Sequence, residues 1–386
     1  MNSRLNDKPT GYYTKREILQ QPRMWNETYE IVASKMADFK SFLKEHGLGK
    51  SSEILFCGAG SSEFVADTVA CLFVADGYCN ARSVATTDIV TDPGFYVHRD
   101  DTVVAFSFAR SGDSPESAGA YEMLNHYCKK AFHIIITCNG KGSMLRDDDP
   151  KNDFCLVLPE PTNDVSLVMT SSFTSMGVAA ILLRDPVTLA DQKAKVAEAA
   201  EFAKCFFAES VLAAVENIAK RDMGRAVVLG GGPLKGIARE CHLKMQEMTN
   251  GAIMSSYDSF MGLRHGPKSV IKKDTVVIYL LSDDEYSRKY EYDLMRQVNA
   301  EHSPAAQIAV SKKPVVDSGI RLDLQVNSPE CSPFSENPFT YIADVLIGQI
   351  VGYCLSMERG FNPDSPSADG VISRVVSGVK IYKPGK

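Results

Sequence analysis

Apolar residues recur at helical spacing from residue 13 to 46: Ile18, Trp25, Tyr29, Ile31, Val32, Met36, Phe39, Phe42 and Leu43. That spacing predicts a helical prelude after a loose arm over residues 1–12, ending at His46-Gly47-Leu48-Gly49. Short continuous apolar runs follow, each leading into a helical stretch. Ile54-Leu55-Phe56-Cys57, Thr102 to Ser107, His133 to Thr137 and Phe154 to Leu158 read as buried strands. Helices are predicted through residue 76, from Pro115 to about Lys129 and from Thr170 to Leu183. Continuous rather than alternating apolar strands, separated by helices, imply a parallel sheet covered on both faces.

Residues 186–222, rich in Ala, Glu and Lys, read as a linking helix or helix pair, after which the rhythm restarts. Strands are predicted at 226–229, 275–281, 306–310 and 322–326, with helices at 234–249, 285–300 and 338–357. Strand, glycine turn and helix thus appear near 54 and again near 226, a weak internal repeat that suggests two related halves. A turn-rich tail runs from Asn362 to Lys386.

A chain of 386 residues is comfortable for two domains. A net charge of -6 without a Lys/Arg cluster argues against a nucleic-acid partner. An anionic ligand would have to be held by local donors. No segment approaches 18 uninterrupted apolar residues and the N-terminus lacks a signal-peptide core, so neither a membrane span nor secretion is expected. The ten cysteines stand singly, without CxxC or zinc-ligand spacing, and read as reduced thiols of a cytoplasmic protein.

Four stretches carry candidate chemistry. Cys57-Gly58-Ala59-Gly60-Ser61-Ser62 ends the first strand; its glycines let backbone approach a ligand, and the next helix would aim N–H groups at an anion. It serves equally as a tight turn whose serine caps the helix. It is not a P-loop, and Glu63 occupies the third glycine position of a dinucleotide fingerprint. Ser107-Phe108-Ala109-Arg110-Ser111-Gly112-Asp113-Ser114 lies between strand and helix, with Pro115 placing Ser114 at the N-cap. Ser111, Ser114 and free amides would cradle a phosphate, and Arg110 could add a charged donor.

Val168-Met169-Thr170-Ser171-Ser172 is a hydroxyl-rich helix start, as consistent with a cap as with a ligand. Glu240, Lys244 and Glu247 share one helix face, as surface Glu–Lys ladders do. Downstream, His265 before Gly266-Pro267 is placed for acid/base work or is a solvated loop histidine.

Together, Gly-x-Gly-Ser-Ser, Ser-Gly-Asp-Ser-Pro-Glu-Ser, Glu240-x3-Lys244-x2-Glu247 and Arg264-His265-Gly266-Pro267 resemble the sugar isomerase (SIS) superfamily. The chain is similar to the isomerase half of glucosamine-6-phosphate synthase. It is closer to the galactosamine-6-phosphate deaminase family, also labelled tagatose-6-phosphate ketose/aldose isomerase. The likeness spans nearly the whole chain and includes no glutaminase half.

The resemblance implies an α/β fold of two tandem SIS domains, each a parallel sheet flanked by helices in three layers. The corresponding organisation is an N-terminal segment 1–46, domains at 47–185 and 223–361, a linking helix 186–222, and a tail 362–386 near the active site. It implies phosphate held by Ser61, Ser62, Arg110, Ser111 and Ser114, with Gly60, Met169, Thr170, Ser171 and Ser377 lining the sugar. Glu247 matches the carboxylate that moves a proton between C1 and C2, and His265 the histidine that assists ring opening across a dimer interface. Glu240 and Lys244 match supporting positions. One departure is that the synthase's C-terminal lysine position reads Ser377, with Lys380 three residues on.

The implied reaction needs no cofactor or metal. It is conversion of galactosamine 6-phosphate to tagatose 6-phosphate and ammonia, by a homodimer or dimer of dimers with shared sites. Alternatives are a pure ketose/aldose isomerase, a glucosamine-6-phosphate deaminase, a fructosyl-amine 6-phosphate deglycase and a non-catalytic sugar-phosphate sensor.

Overall fold

The computed structural model describes residues 8–145, 149–328, 337–367, 370–374, 376 and 378–382. Its contacts divide into two compact units. The first comprises Arg23–Asp164, Ser171–Val196 and Asp369–Lys386; the second comprises Met1–Pro22, Val165–Thr170 and Ala197–Ala368.

The predicted prelude is one helix, α1 (Tyr12–His46), of 35 residues with Pro22 inside it. A proline removes the N–H that would bond the carbonyl four residues back. Here Gln21 Nε2 donates to the Ile18 carbonyl at 3.1 Å and supplies the missing donor. Asp364 closes the helix start, accepting from the amides of Tyr13 and Thr14 and from the Thr14 hydroxyl.

The first unit holds β1 (Glu53–Gly58), β2 (Ala81–Ala85), β3 (Thr102–Ala109), β4 (Lys130–Thr137) and β5 (Asp153–Val157), all parallel, in the order β2-β1-β3-β4-β5. One face of that sheet packs Leu55, Cys57, Val103 and Ala105 against Ile89 of α3 (Thr86–Thr91) and Met123 and Leu124 of α4 (Pro115–Tyr127). The opposite side carries α2 (Ser61–Ala75) and α5 (Ser171–Arg184), which pack together. Phe56, Phe73 and Phe106 cluster there, edge-on or tilted, with centroids 4.7–5.7 Å apart.

The linking stretch is the helix pair α6 (Leu189–Phe206) and α7 (Glu209–Ala219). The second unit repeats the topology. Its strands are β6 (Arg225–Leu229), β7 (Met254–Asp258), β8 (Thr275–Leu280), β9 (Ala306–Val310) and β10 (Leu324–Val326), in the order β10-β9-β8-β6-β7. Read from β7, this is the first sheet's order again, also parallel throughout. The helices are α8 (Leu234–Met248), α9 (Phe260–Leu263), α10 (Glu285–Glu301), α11 (Pro338–Ala343) and α12 (Val345–Glu358). The three-layer expectation holds, and the weak repeat read from two glycine turns is a repeat of whole sheets.

The stretch Pro338–Glu358 is long and apolar enough to cross a membrane by composition, but 83% of its window is buried, so it works as core. Nine described cysteines carry free thiols, Cys71 and Cys79 exposed and Cys57, Cys128, Cys138 and Cys241 buried; Cys331 lies outside the described residues.

Candidate active site

In an open parallel sheet, ligands bind beyond the carboxyl ends of the strands where the strand order reverses. In the first sheet that point lies between β1 and β3. Cys57 pairs with Ser107 in register, so the loops 58–61 and 110–114 leave the sheet side by side. Both feed helix N-termini, of α2 and α4, whose dipoles favour an anion.

The β1 loop is shaped by its glycines. A Cβ on Gly58 would lie 2.3 Å from the Ser62 carbonyl carbon, and Gly60 holds φ 56°. Ser61 and Ser62 then open α2, both buried. Gly60 is the N-cap, so no serine side chain caps this helix.

The β3 loop is braced from behind by the loop after β4. Asn139 Nδ2 donates to the Ser111 carbonyl at 2.7 Å, and Ser143 Oγ and Met144 N donate to the Gly112 carbonyl at 2.8 and 3.1 Å. Asp113 Oδ1 accepts from Ser143 N at 2.9 Å. A Cβ on Gly142 would lie 2.6 Å from the Ser111 carbonyl oxygen, so glycine is required there.

Ser114 occupies the N-cap position, but its hydroxyl does not cap α4, which corrects the sequence expectation. The hydroxyl donates to Glu116 Oε2 at 2.7 Å. A phosphate at this terminus must therefore take over a proton now given to Glu116. Arg110 opens this loop directly after β3. The residue is 8% exposed, and its Nη2 donates to the Arg374 carbonyl at 2.6 Å, toward the C-terminal segment.

The second sheet shows what the phosphate reading requires. Leu229 pairs with Tyr279 as Cys57 pairs with Ser107, so Gly230-Gly231-Gly232 stands where Gly58-Ala59-Gly60 does. A Cβ on Gly230 would lie 2.3 Å from the Leu234 carbonyl oxygen, and Gly232 holds φ 55°. The backbone is the same, but Pro233 and Leu234 replace Ser61 and Ser62, removing one amide and both hydroxyls. Asp283 stands where the first sheet has Ser111. The serine hydroxyls at positions 61, 62 and 111 thus belong to the first crevice alone.

The hydroxyl-rich segment before α5 is a helix cap, made by Asp164. Asp164 Oδ1 accepts from Ser171 N at 3.1 Å, and Oδ2 accepts from Ser172 N at 3.0 Å and Ser172 Oγ at 2.6 Å. Ser171 and Thr170 are fully buried and Met169 is half-buried. Ser377 lies outside the described residues. Lys380 is exposed, with its ammonium 4.8 Å from the Tyr382 ring centroid.

Glu240, Lys244 and Glu247 are no surface ladder. Glu240 and Lys244 are fully buried, and Lys244 Nζ stands 3.1 Å from Glu240 Oε1 and 2.6 Å from Glu247 Oε2. Burial alone would push the lysine's pKa down; the charges of Glu240 and Glu247 outweigh it and hold the ammonium above its ordinary value. Glu247 keeps 24% of its side chain exposed. One carboxylate oxygen is thus pinned, and no hydrogen bond or ion pair among the described residues holds Oε1.

The burial comes from α12, whose glycines let it approach α8. A Cβ on Gly348 would lie 2.4 Å from Cys241 Cβ, and one on Gly352 would lie 3.0 Å from the Lys244 carbonyl oxygen. His265 is exposed on the turn after α9; its amide donates to the Gly262 carbonyl, and its ring has no hydrogen bond among the described residues.

Two units of one doubly wound topology, with a serine-rich glycine loop at a switch point and a lysine-pinned carboxylate on a core helix, define a sugar-isomerase-domain protein. The SIS domain model matches residues 47–183. D-Galactosamine-6-phosphate deaminase AgaS of Escherichia coli is 32% identical over 97% of this chain and 96% of its own length. The protein of that name from Shewanella sp. (strain ANA-3) is 32% identical over 96% and 92%. The crystal structure of tagatose-6-phosphate ketose/aldose isomerase from Escherichia coli superposes with a TM-score of 0.86, at 28% identity over 97% of each chain. The chain belongs to the galactosamine-6-phosphate deaminase family.

Proposed function

We propose that this enzyme converts galactosamine 6-phosphate and water to tagatose 6-phosphate and ammonia. The observation that carries the reading is the pinned carboxylate: Glu247, partly exposed, with Lys244 buried at 2.6 Å. The relatives named for this substrate match nearly the whole chain.

The amides and hydroxyls of Ser61, Ser62, Ser111 and Ser114 hold the phosphate, far from the reacting carbons, and so fix the sugar's position. The ring opens to the aldehyde, which acidifies the C2 proton. Glu247 removes that proton and returns it to C1 while a proton lost from the amine passes to O1, so the aldehyde becomes a hydroxymethyl group and the amine-bearing carbon becomes a 2-imine. Water adds to the imine carbon and ammonia leaves. Lys244 keeps one oxygen of Glu247 fixed while the other carries the proton. His265, contributed by a second copy of the chain in a homodimer or dimer of dimers, assists ring opening. The enzyme is read as cytoplasmic.

Ammonia release from galactosamine, glucosamine and fructosyl-amine 6-phosphates tests the substrate. The galacto compound should give the highest kcat/KM, by about tenfold or more, since one hydroxyl matched by a polar site discriminates at least that strongly. Interconversion of keto and aldo sugar phosphates with no ammonia from any amine would replace this reading with that of a pure isomerase.

A further inference from the structure

The C-terminal segment is fastened to the phosphate loop through two arginines. Arg110, the first residue after β3, donates to the Arg374 carbonyl at 2.6 Å. Arg374 in turn donates from Nε to the Asp164 carbonyl at 2.8 Å and from Nη2 to Asn163 Oδ1 at 2.6 Å. Asp164 is the carboxylate that caps α5 through Ser171 and Ser172. One continuous chain of hydrogen bonds thus runs from the phosphate loop through the segment to the start of α5.

Farther along, Ile381 packs into the core cluster of Leu55, Cys57 and Ala120. It lies against α4 where Gly119 leaves room: a Cβ there would stand 3.1 Å from Ile381 Cγ2. The segment is therefore held at both ends on the unit that carries the phosphate loop.

We propose that Arg110 is a positioning residue that holds the C-terminal segment to the phosphate loop, so that phosphate binding at Ser111 and Ser114 orders this segment, rather than a direct ligand of the phosphate. Arg110 is buried and donates to the segment, while the two serines beyond it stay partly open. The planar fork matters because a lysine keeps the charge but cannot reproduce fixed N–H geometry. The proposal rests on the phosphate reading of the 107–114 loop.

The test uses the full-length protein as wild type, Arg110→Lys and Arg374→Ala, with inorganic phosphate as the probe. Amide exchange of residues 370–374 and 378–382 is followed with and without phosphate, beside phosphate affinity and the kcat and KM for galactosamine 6-phosphate. Phosphate should slow exchange of the segment in wild type and fail to do so in either variant. Arg110→Lys should keep phosphate affinity within about threefold while kcat falls about tenfold. Arg374 is half-buried among exposed described residues at 370–373 and 376, so Arg374→Ala should leave the thermal midpoint near wild type and tests the latch if Arg110→Lys is unstable.

The proposal is overturned if Arg110→Lys weakens phosphate about tenfold with segment exchange as in wild type, which makes Arg110 a ligand. It is also overturned if both variants keep the phosphate effect on the segment. A wild-type protein that releases no ammonia would sink the functional reading and leave the exchange comparison standing.

Discussion

Glu240 and Lys244 share a helix face with Glu247, yet burial gives the three different work. The spacing of four and three residues is visible in sequence; the burial is not, because it is created by α12 about a hundred residues later. Gly348 and Gly352 are its sequence trace, two small residues one helical turn apart on an apolar helix. Lys244 fully buried against Glu240 means that removing either partner strands a charge. Lys244→Met should cost about 3–5 kcal/mol in urea unfolding, and the double variant Glu240→Leu/Lys244→Met should recover part of it. A single variant as stable as wild type would show that the pair is not held as described. The same limit applies to Ser114 and Arg110. Their types and order pointed to phosphate, but the directions of their side chains depend on Glu116 and on a segment 264 residues away.

Most of the strands and long helices were legible because buried parallel strands are continuous apolar runs. The two strands missed, β2 and β7, are the outer neighbours of β1 and β6. Ala81-Arg82-Ser83-Val84-Ala85 and Met254-Ser255-Ser256-Tyr257-Asp258 are mixed in polarity, as a strand with one paired side and an open edge can be. The short helices α3 and α9 are too brief to show a period. At the end of β8, Glu291 of α10 accepts twice from the Ser282 amide, at 3.1 Å by each oxygen. Burial pushes its carboxyl up to about 7, against the pull of that amide and of Arg288.

The folded pKa of Glu291 thus lies above the ordinary value of 4.5, so the unfolded chain loses this proton first. Its contribution to stability falls as pH rises from 4.5 to about 7 and is level above that. Buried His133, pushed down to about 4, acts in the opposite sense across nearly the same range, so the wild-type profile is flattened. The difference between wild type and Glu291→Gln isolates the first effect. Relative to the variant, wild type should lose on the order of 3 kcal/mol between pH 4.5 and 7 in denaturant titrations. A pH-independent difference would contradict the assignment.

At the scale of the molecule, one topology occurs twice and only one copy carries serines at its glycine loop. The repeat was faint in sequence because its two glycine loops share backbone shape rather than side chains. Gly58 and Gly60 match Gly230 and Gly232, whereas Ser61 and Ser62 face Pro233 and Leu234. The second unit is freed for the carboxylate on α8 and the histidine after α9. If His265 serves the site of a second copy, inactive Glu247→Gln and His265→Asn proteins should complement. Mixed and reassociated in equal amounts, they should recover about a quarter of wild-type activity, because half the dimers are mixed and each carries one intact site. No recovery in demonstrably mixed dimers would place His265 and Glu247 of one chain together.

The central claim is that Glu247 moves the proton that lets ammonia leave. It is tested most directly by ammonia release from galactosamine 6-phosphate, measured side by side for wild type and Glu247→Gln. The account predicts one ammonia for each tagatose 6-phosphate in wild type, and a variant that still binds the substrate but turns over at least about a hundredfold more slowly. Near-normal ammonia release by Glu247→Gln would contradict it.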